Sequence, residues 1–235
     1  LDPSVKGFDQ GAQSQYFLPI GYTSTTPMGD VTVPTPETCS VSFWMEKLVD
    51  MRRPVMLAGP AGTGKTQMIQ GLLNSFTDPA VYVSCNINFN FYTTSQVLFN
   101  TMSLPLEKKT GTNFGPPGNA KLIYFVDDIN LPEVDKYMTQ SAIALLRQQL
   151  EYEHVYDLTK LAQNPQKNIS KTQMVSCMNP TAGSNEINPR LQRNFVTFAI
   201  GLPGPTSLLT IYQTFLDGHL KNFNADVKGV SSNMI

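Results

Sequence analysis

Arg53-Pro-Val-Met-Leu-Ala-Gly59-Pro-Ala-Gly-Thr-Gly64-Lys65-Thr66 is the stretch on which the fold turns. An apolar run, Pro54 to Ala58, feeds a glycine-rich turn, and a helical pattern follows from Lys65 to Asn74. The turn satisfies G-x-x-x-x-G-K-[ST], and a strand before it with a helix after it is the context in which that pattern binds phosphate. Its glycines allow a turn tight enough for successive backbone N–H groups to face phosphate oxygens, and the helix N-terminus adds a favourable dipole. Gly59, Pro60, Ala61, Gly62, Thr63, Gly64, Lys65 and Thr66 are therefore the expected phosphate cradle. Lys65 is expected to reach the β and γ phosphates and Thr66 to ligate Mg²⁺. A plain glycine turn is the competing reading, and the flanking strand and helix weigh against it.

Downstream, Ala80 to Cys85 reads as a strand and Thr93 to Leu104 as a helix whose Thr-Thr-Ser start can cap its free N–H groups. Lys109 to Ala120 reads as a loop. Lys121 to Val126 is nearly all apolar, as a strand covered on both faces should be. The next helix is expected to carry Met138, Ala142, Leu145, Leu146 and Leu150 on one stripe, with Asp135 near its positive end. Glu153 to Lys171 is polar and reads as a hairpin or insertion. Thr172 to Cys177 and Phe195 to Ile200 read as further strands, and Leu202 to Leu216 as a last helix. Upstream, Trp44, Leu48 and Met51 predict a helix over Val41 to Arg53, preceded by an extended segment over residues 1–40. Five strands alternating with helices predict an α/β three-layer sandwich around a mostly parallel sheet, the fold of a P-loop NTPase.

Leu122-Ile-Tyr-Phe-Val-Asp127-Asp128 ends an apolar run in two acids. A P-loop needs a carboxylate at the end of a neighbouring strand to hold the metal's water shell, so Asp127 is the expected Mg²⁺ contact. Asp128 stands where many ATPases place a Glu that orients the attacking water, and its side chain is one methylene shorter. A helix cap built from the two acids is the alternative. Asn179 follows the strand ending at Cys177, where its amide can sense the γ phosphate, although Asn179-Pro180 also suits an ordinary turn. Arg193 and Arg190 precede an apolar strand and are candidates for an arginine that reaches a neighbour's nucleotide, with solvated surface arginines as the competing reading. His154 and His219 lack metal-ligand spacing.

Taken together, Val33-Pro-Thr-Pro-Glu-Thr38, the P-loop stretch, Asn90-Phe-Tyr-Thr-Thr-Ser95, Phe125-Val-Asp-Asp-Ile-Asn-Leu-Pro-Glu-Val-Asp-Lys-Tyr137, Cys177-Met-Asn-Pro180 and Asn188-Pro-Arg-Leu-Gln-Arg193 resemble the third AAA+ module of dynein heavy chains. The phrases lean toward the axonemal outer-arm, beta-like type. The resemblance covers about residues 31–220. It implies the large α/β subdomain of an AAA+ module over residues 41–220, with 221–235 beginning the connection to a helical lid. It also implies a module that holds ATP or ADP with Mg²⁺ and hydrolyses ATP to regulate the motor's main site in the first module, and Asp128 in place of the usual Glu makes slow hydrolysis the expectation. By position Arg193, with Arg190 as second choice, resembles the family's arginine finger and would point at the second module's nucleotide. The implied partners are neighbouring modules of the same heavy chain, with other dynein chains and microtubules engaged through other parts, in a ciliary or flagellar axoneme. A binding-only structural module, or a module of another AAA+ ring, is the alternative.

Composition bounds these readings. A formal net charge of −1 and the lack of a Lys/Arg block exclude the electrostatic footprint of a nucleic-acid or polybasic membrane binder. The apolar runs are too short to span a bilayer, so a cytoplasmic or cytoskeletal location is expected. Cys39, Cys85 and Cys177 have no metal-type spacing and read as buried thiols. A first residue other than Met and a polar end suggest a piece of a longer chain.

Overall fold

The computed structural model describes residues 31–76, 78–157, 162, 166–181, 185–220 and 223. The segments expected over 1–30 and 224–235 lie outside these described residues. Helix α1 spans Pro36–Asp50, strand β1 Val55–Ala58, α2 Lys65–Ser75, β2 Tyr82–Asn88 and α3 Ser95–Ser103. Then follow β3 (Glu107–Lys108), β4 (Asn113–Gly115), β5 (Lys121–Asp127), α4 (Ser141–Tyr152), β6 (His154–Tyr156), β7 (Gln166–Ile169) and β8 (Thr172–Met178). The short helix α5 (Pro189–Gln192), β9 (Val196–Ala199) and α6 (Pro205–His219) complete the order.

The main sheet has five strands in the order β2-β5-β8-β1-β9, and every pairing in it is parallel. Period-2 alternation splits each central strand between two cores. Leu122, Tyr124 and Val126 of β5 join Met56, Leu98, Met102, Leu146 and Leu191 on one face, under α3, α4 and α5. Ile123 and Phe125 join Val55, Leu57, Met45 and Ile69 on the other, under α1 and α2. These are the three layers that the alternation of strands and helices predicts.

Helix α1 begins at Pro36, so residues 36–40 are not part of the expected extended segment. Thr35 and Thr38 cap it reciprocally: Thr38 N donates to Thr35 Oγ1 at 3.3 Å and Thr35 N donates to Thr38 Oγ1 at 2.8 Å. Threonine here takes the part usually given to Glu in a capping box. The buried face is Cys39, Met45 and Val49, whereas Trp44 and Met51 are exposed. The expected stripe was therefore turned on the helix. Helix α4 likewise starts only at Ser141, and Met138, expected in its core stripe, is 82% exposed with φ 60°. Asp135 serves the turn before α4, accepting from Tyr137 N at 2.8 Å and Thr139 N at 2.9 Å. Helix α6 starts at Pro205 rather than Leu202, with proline in the first turn, where its missing N–H costs nothing.

A second sheet, β3-β4-β7-β6, forms beside the first. The loop expected over Lys109 to Ala120 thus contains strand β4, and the expected polar hairpin is β6–β7, paired antiparallel. This sheet is anchored on α3, where Phe99 packs with Val155 and Ile169. Lys167 lies 4.5 Å from the Phe99 ring centre and pairs with Asp157 at 3.1 Å.

Candidate functional site

The P-loop leaves β1 at the C-terminal edge of the main sheet, between the ends of β8 and β9. Gly59 is required there by close approach: a Cβ on it would come within 2.1 Å of the Ile200 carbonyl oxygen. Gly64 caps α2 with φ 80°, a left-handed conformation that a side chain would strain. Ala61, Gly62 and Gly64 form an exposed crest, while Thr63 turns inward and donates to the Pro60 carbonyl at 3.0 Å. Lys65 is buried under this arch. Its ammonium donates to the carbonyls of Gly59 at 2.9 Å and Pro60 at 2.7 Å.

Strand β5 lies next but one to β1, across β8, and its end brings Asp127 to the first turn of α2. The Thr66 hydroxyl donates to Asp127 Oδ2 at 3.2 Å. A hydroxyl and a carboxylate side by side under a phosphate cradle are a hard oxygen donor set, the kind Mg²⁺ takes. The Cys177 thiol, from β8, donates to Asp127 Oδ1 and lies 3.8 Å from Thr66 Oγ1. Burial first, and then that hydrogen bond, pushes the Cys177 thiol up to about 12. The cysteine is buried, as its sequence context suggested, but it is also a wall of the metal-type site, which no spacing rule reveals.

Asp128 follows in a left-handed turn with φ 52°, a conformation that Asp adopts more readily than most residues with a Cβ. Its N–H donates to Asp127 Oδ1 at 3.0 Å. Partial burial, and next the charge of Asp127, raises the Asp128 carboxyl above the ordinary range, with Lys65 pulling the other way. Asn179 sits just past β8, level with these acids. Its Oδ1 accepts from Thr181 N at 3.1 Å and from Thr181 Oγ1 at 3.0 Å, so the Asn-Pro segment forms a turn at the end of β8, as one of the two sequence readings has it.

Arg193 is not brought to this cluster. It precedes β9, at the opposite edge of the sheet from the P-loop, separated by the length of β1, roughly 13 Å at the usual strand rise. It is 65% exposed at the side chain and pairs with Glu151 at 2.9 Å. Glu151 is also reached by Arg147 at 3.9 Å and by Asn194 at 3.4 Å. Desolvation opposes the effect, but the hydrogen bonds from Arg193 and Asn194 hold the Glu151 carboxyl below its usual range. Arg190, also exposed, has its backbone N–H capped by Asn188.

Beside the P-loop crest lies a cavity of about 430 Å³ whose walls include Val31, Val33, Gly62, Gly64, Ile200 and Phe215. Val31 and Val33 pack on Ile211 and Phe215 of α6. The lining also carries polar side chains, among them Thr32, Thr35, Glu37, Thr38 and Gln67. Among the described residues no helix is long and apolar enough to cross a membrane.

Comparison with known proteins adds independent findings. A family profile described as P-loop containing dynein motor region matches residues 20–203. The chain is 46% identical over 236 residues to the dynein alpha chain, flagellar outer arm, of Chlamydomonas reinhardtii, covering all of this chain and 5% of that relative. It is 46% identical over 230 residues to human dynein axonemal heavy chain 9, covering 97% of this chain and 5% of the relative. To the ciliary dynein beta chain of Tripneustes gratilla it is 48% identical over 198 residues, 84% of this chain and 4% of that one. The chain thus spans about one twentieth of the length of the curated relatives it matches.

Proposed function

We infer, from the premise that this chain belongs to the family of P-loop containing dynein motor regions, that it is the third AAA+ module of an axonemal dynein heavy chain, binding ATP with Mg²⁺ and hydrolysing it slowly. Nucleotide binding itself follows from the family and the intact P-loop. Alpha-type and beta-type relatives match at 46% and 48%, so the assignment is made to the axonemal class rather than to its beta branch. Residues 41–220 are read as the large α/β subdomain, extended by helix α1 to Pro36, with a leading linker before it and 221–235 as the start of the connection to a helical lid. The family match sets aside a ring outside the dyneins.

One observation carries the reading: the Thr66 hydroxyl and the Asp127 carboxylate, from two different elements, meet at 3.2 Å below the arch that buries Lys65. Lys65 and the crest N–H groups hold the phosphates, Thr66 and Asp127 hold the metal's shell, and the cavity by Val31 and Phe215 seats the base. When bound, Mg²⁺ neutralises charge on the phosphates. Asp128 and Asn179, at the ends of adjacent strands, orient the water; Asp128 is a short and partly desolvated base, which suits slow turnover. Arg193, facing away from its own site, serves the nucleotide of a neighbouring module after releasing Glu151, with Arg190 as the alternative. Regulation of the motor's main site, action with microtubules through other parts of the heavy chain, and placement in a cilium or flagellum belong to this same proposal. The test is Lys65→Ala in the intact heavy chain: nucleotide held by this module falls, and unchanged content refutes the reading.

A further inference from the structure

We propose that Asn130, to which the site chemistry above gives no role, is a positioning residue that locks the segment of Asn179 to the acid loop and ties both to the arm bearing Arg190 and Arg193. The inference rests on the reading of Asp128 and Asn179 as the pair that orients water. Asn130 lies two residues beyond Asp128, and although polar it is only 2% exposed. Its side-chain amide donates to the Asn179 carbonyl at 2.8 Å. Its own carbonyl accepts from Asn185 N at 3.2 Å.

These bonds close a frame. Ile129 N donates to the Cys177 carbonyl at 3.1 Å, and Gly59 N donates to the Met178 carbonyl at 3.2 Å, so the end of β8 is held by the acid loop on one side and the P-loop on the other. The Asn185 side chain donates to the Pro132 carbonyl at 2.9 Å, as does Gln140 at 2.6 Å. From Asn185 the chain runs through buried Ile187 to Asn188, which caps α5. Asn130 touches the sensor segment through its side chain and the arginine arm through its own backbone. The Asn130 amide donates to the Asn179 carbonyl from a buried position, and removing a buried donor weakens the hold on the segment it bonds. The result is misalignment of the Asn179 side chain, which hardly affects ground-state binding but weakens stabilisation of the reacting geometry.

The experiment uses the intact heavy chain with the P-loop lysines of its other modules replaced, so that labelled nucleotide reports this module. Affinity is measured for MgADP alone and for MgADP with aluminium fluoride, a mimic of the transferring phosphoryl group, in the parent, Asn130→Leu and Asn130→Ala. Leucine restores volume without a donor; alanine removes both. Positioning predicts that both variants lose roughly 10- to 100-fold in fluoride-complex affinity, with MgADP affinity within about 3-fold of the parent. Recovery of the parent's affinity in Asn130→Leu means that Asn130 only fills space, and overturns the proposal. So does an equal loss of MgADP affinity. A parent that binds MgADP but gains nothing from fluoride refutes the water-orienting reading itself, and the proposal with it.

Discussion

Replacing Lys65 by alanine removes a buried ammonium with two carbonyl partners, at 2.9 Å and 2.7 Å, and one contact to Thr63 Oγ1 at 3.4 Å. On the proposed reading the same ammonium meets phosphate oxygens when nucleotide binds, and hydrogen bonds to charged groups contribute about 1.5–3 kcal/mol each. Loss of about 2.7 kcal/mol corresponds to roughly 100-fold in affinity. The consequence for stability follows by linkage. At a nucleotide concentration 100 times the parent's Kd, the ligand stabilises the parent module by about 2.7 kcal/mol, whereas a variant bound 100-fold more weakly gains only about 0.4 kcal/mol. The assay is equilibrium binding of labelled ATP to the intact heavy chain with the other P-loops disabled, paired with thermal protection of this module by limited proteolysis. Without nucleotide, the variant also loses the bonds that tie the arch together, so its baseline must be measured separately. Equal nucleotide protection of parent and variant would refute the assignment of Lys65 to the phosphates.

Further outcomes follow from the same geometry. Gly59→Ala places a methyl against the Ile200 carbonyl, and since backbone cannot yield as a side-chain tip can, a loss of about 3 kcal/mol is expected in chemical denaturation of the module. Asp128 has a folded-state pKa above its unfolded value, so the stability it contributes is complete below the unfolded pKa and is lost as pH rises through the folded pKa. Asp128→Asn, which keeps the tolerated left-handed turn, should therefore raise the unfolding temperature at pH 7 and show a shrinking advantage near pH 4. The Cys177 thiol, 1% exposed and pushed up to about 12, is expected to resist alkylation at pH 8 until the module unfolds, as peptide mapping by mass spectrometry would show. Rapid labelling of native Cys177 would contradict its place against Asp127.

The parts of the fold that were legible are those whose local pattern has one physical solution. Val55–Ala58 and Lys121–Asp127 are strands buried on both faces, so their apolar runs announce themselves, and the P-loop needs its glycines at fixed offsets. Boundaries were less legible because caps outvote periodicity. Thr35 and Thr38 start α1 five residues before its apolar pattern suggested, and the turn built on Asp135 delays α4 and leaves Met138 outside the core. Strands β3, β4, β6 and β7 are two to four residues long and largely polar, and a strand that short has no period to read. The second sheet exists because its members pair and anchor on Phe99, not because any one of them prefers to be extended.

The same division runs through the site. The candidates for holding phosphate and metal could be picked from the chain alone, since Gly59, Gly64, Lys65, Thr66 and Asp127 each stand where that chemistry needs them along a strand or turn. What stands beside them depends on how the strands pack. Laying β8 between β5 and β1 brings Cys177 to Asp127 across 50 positions of sequence, and Asn130 to Asn179 across 49. It also sets Arg193 at the far edge of the sheet, in the hold of Glu151. Such neighbours are fixed by strand order and register, which arise from burying two apolar faces at once and leave no mark in any single stretch of chain.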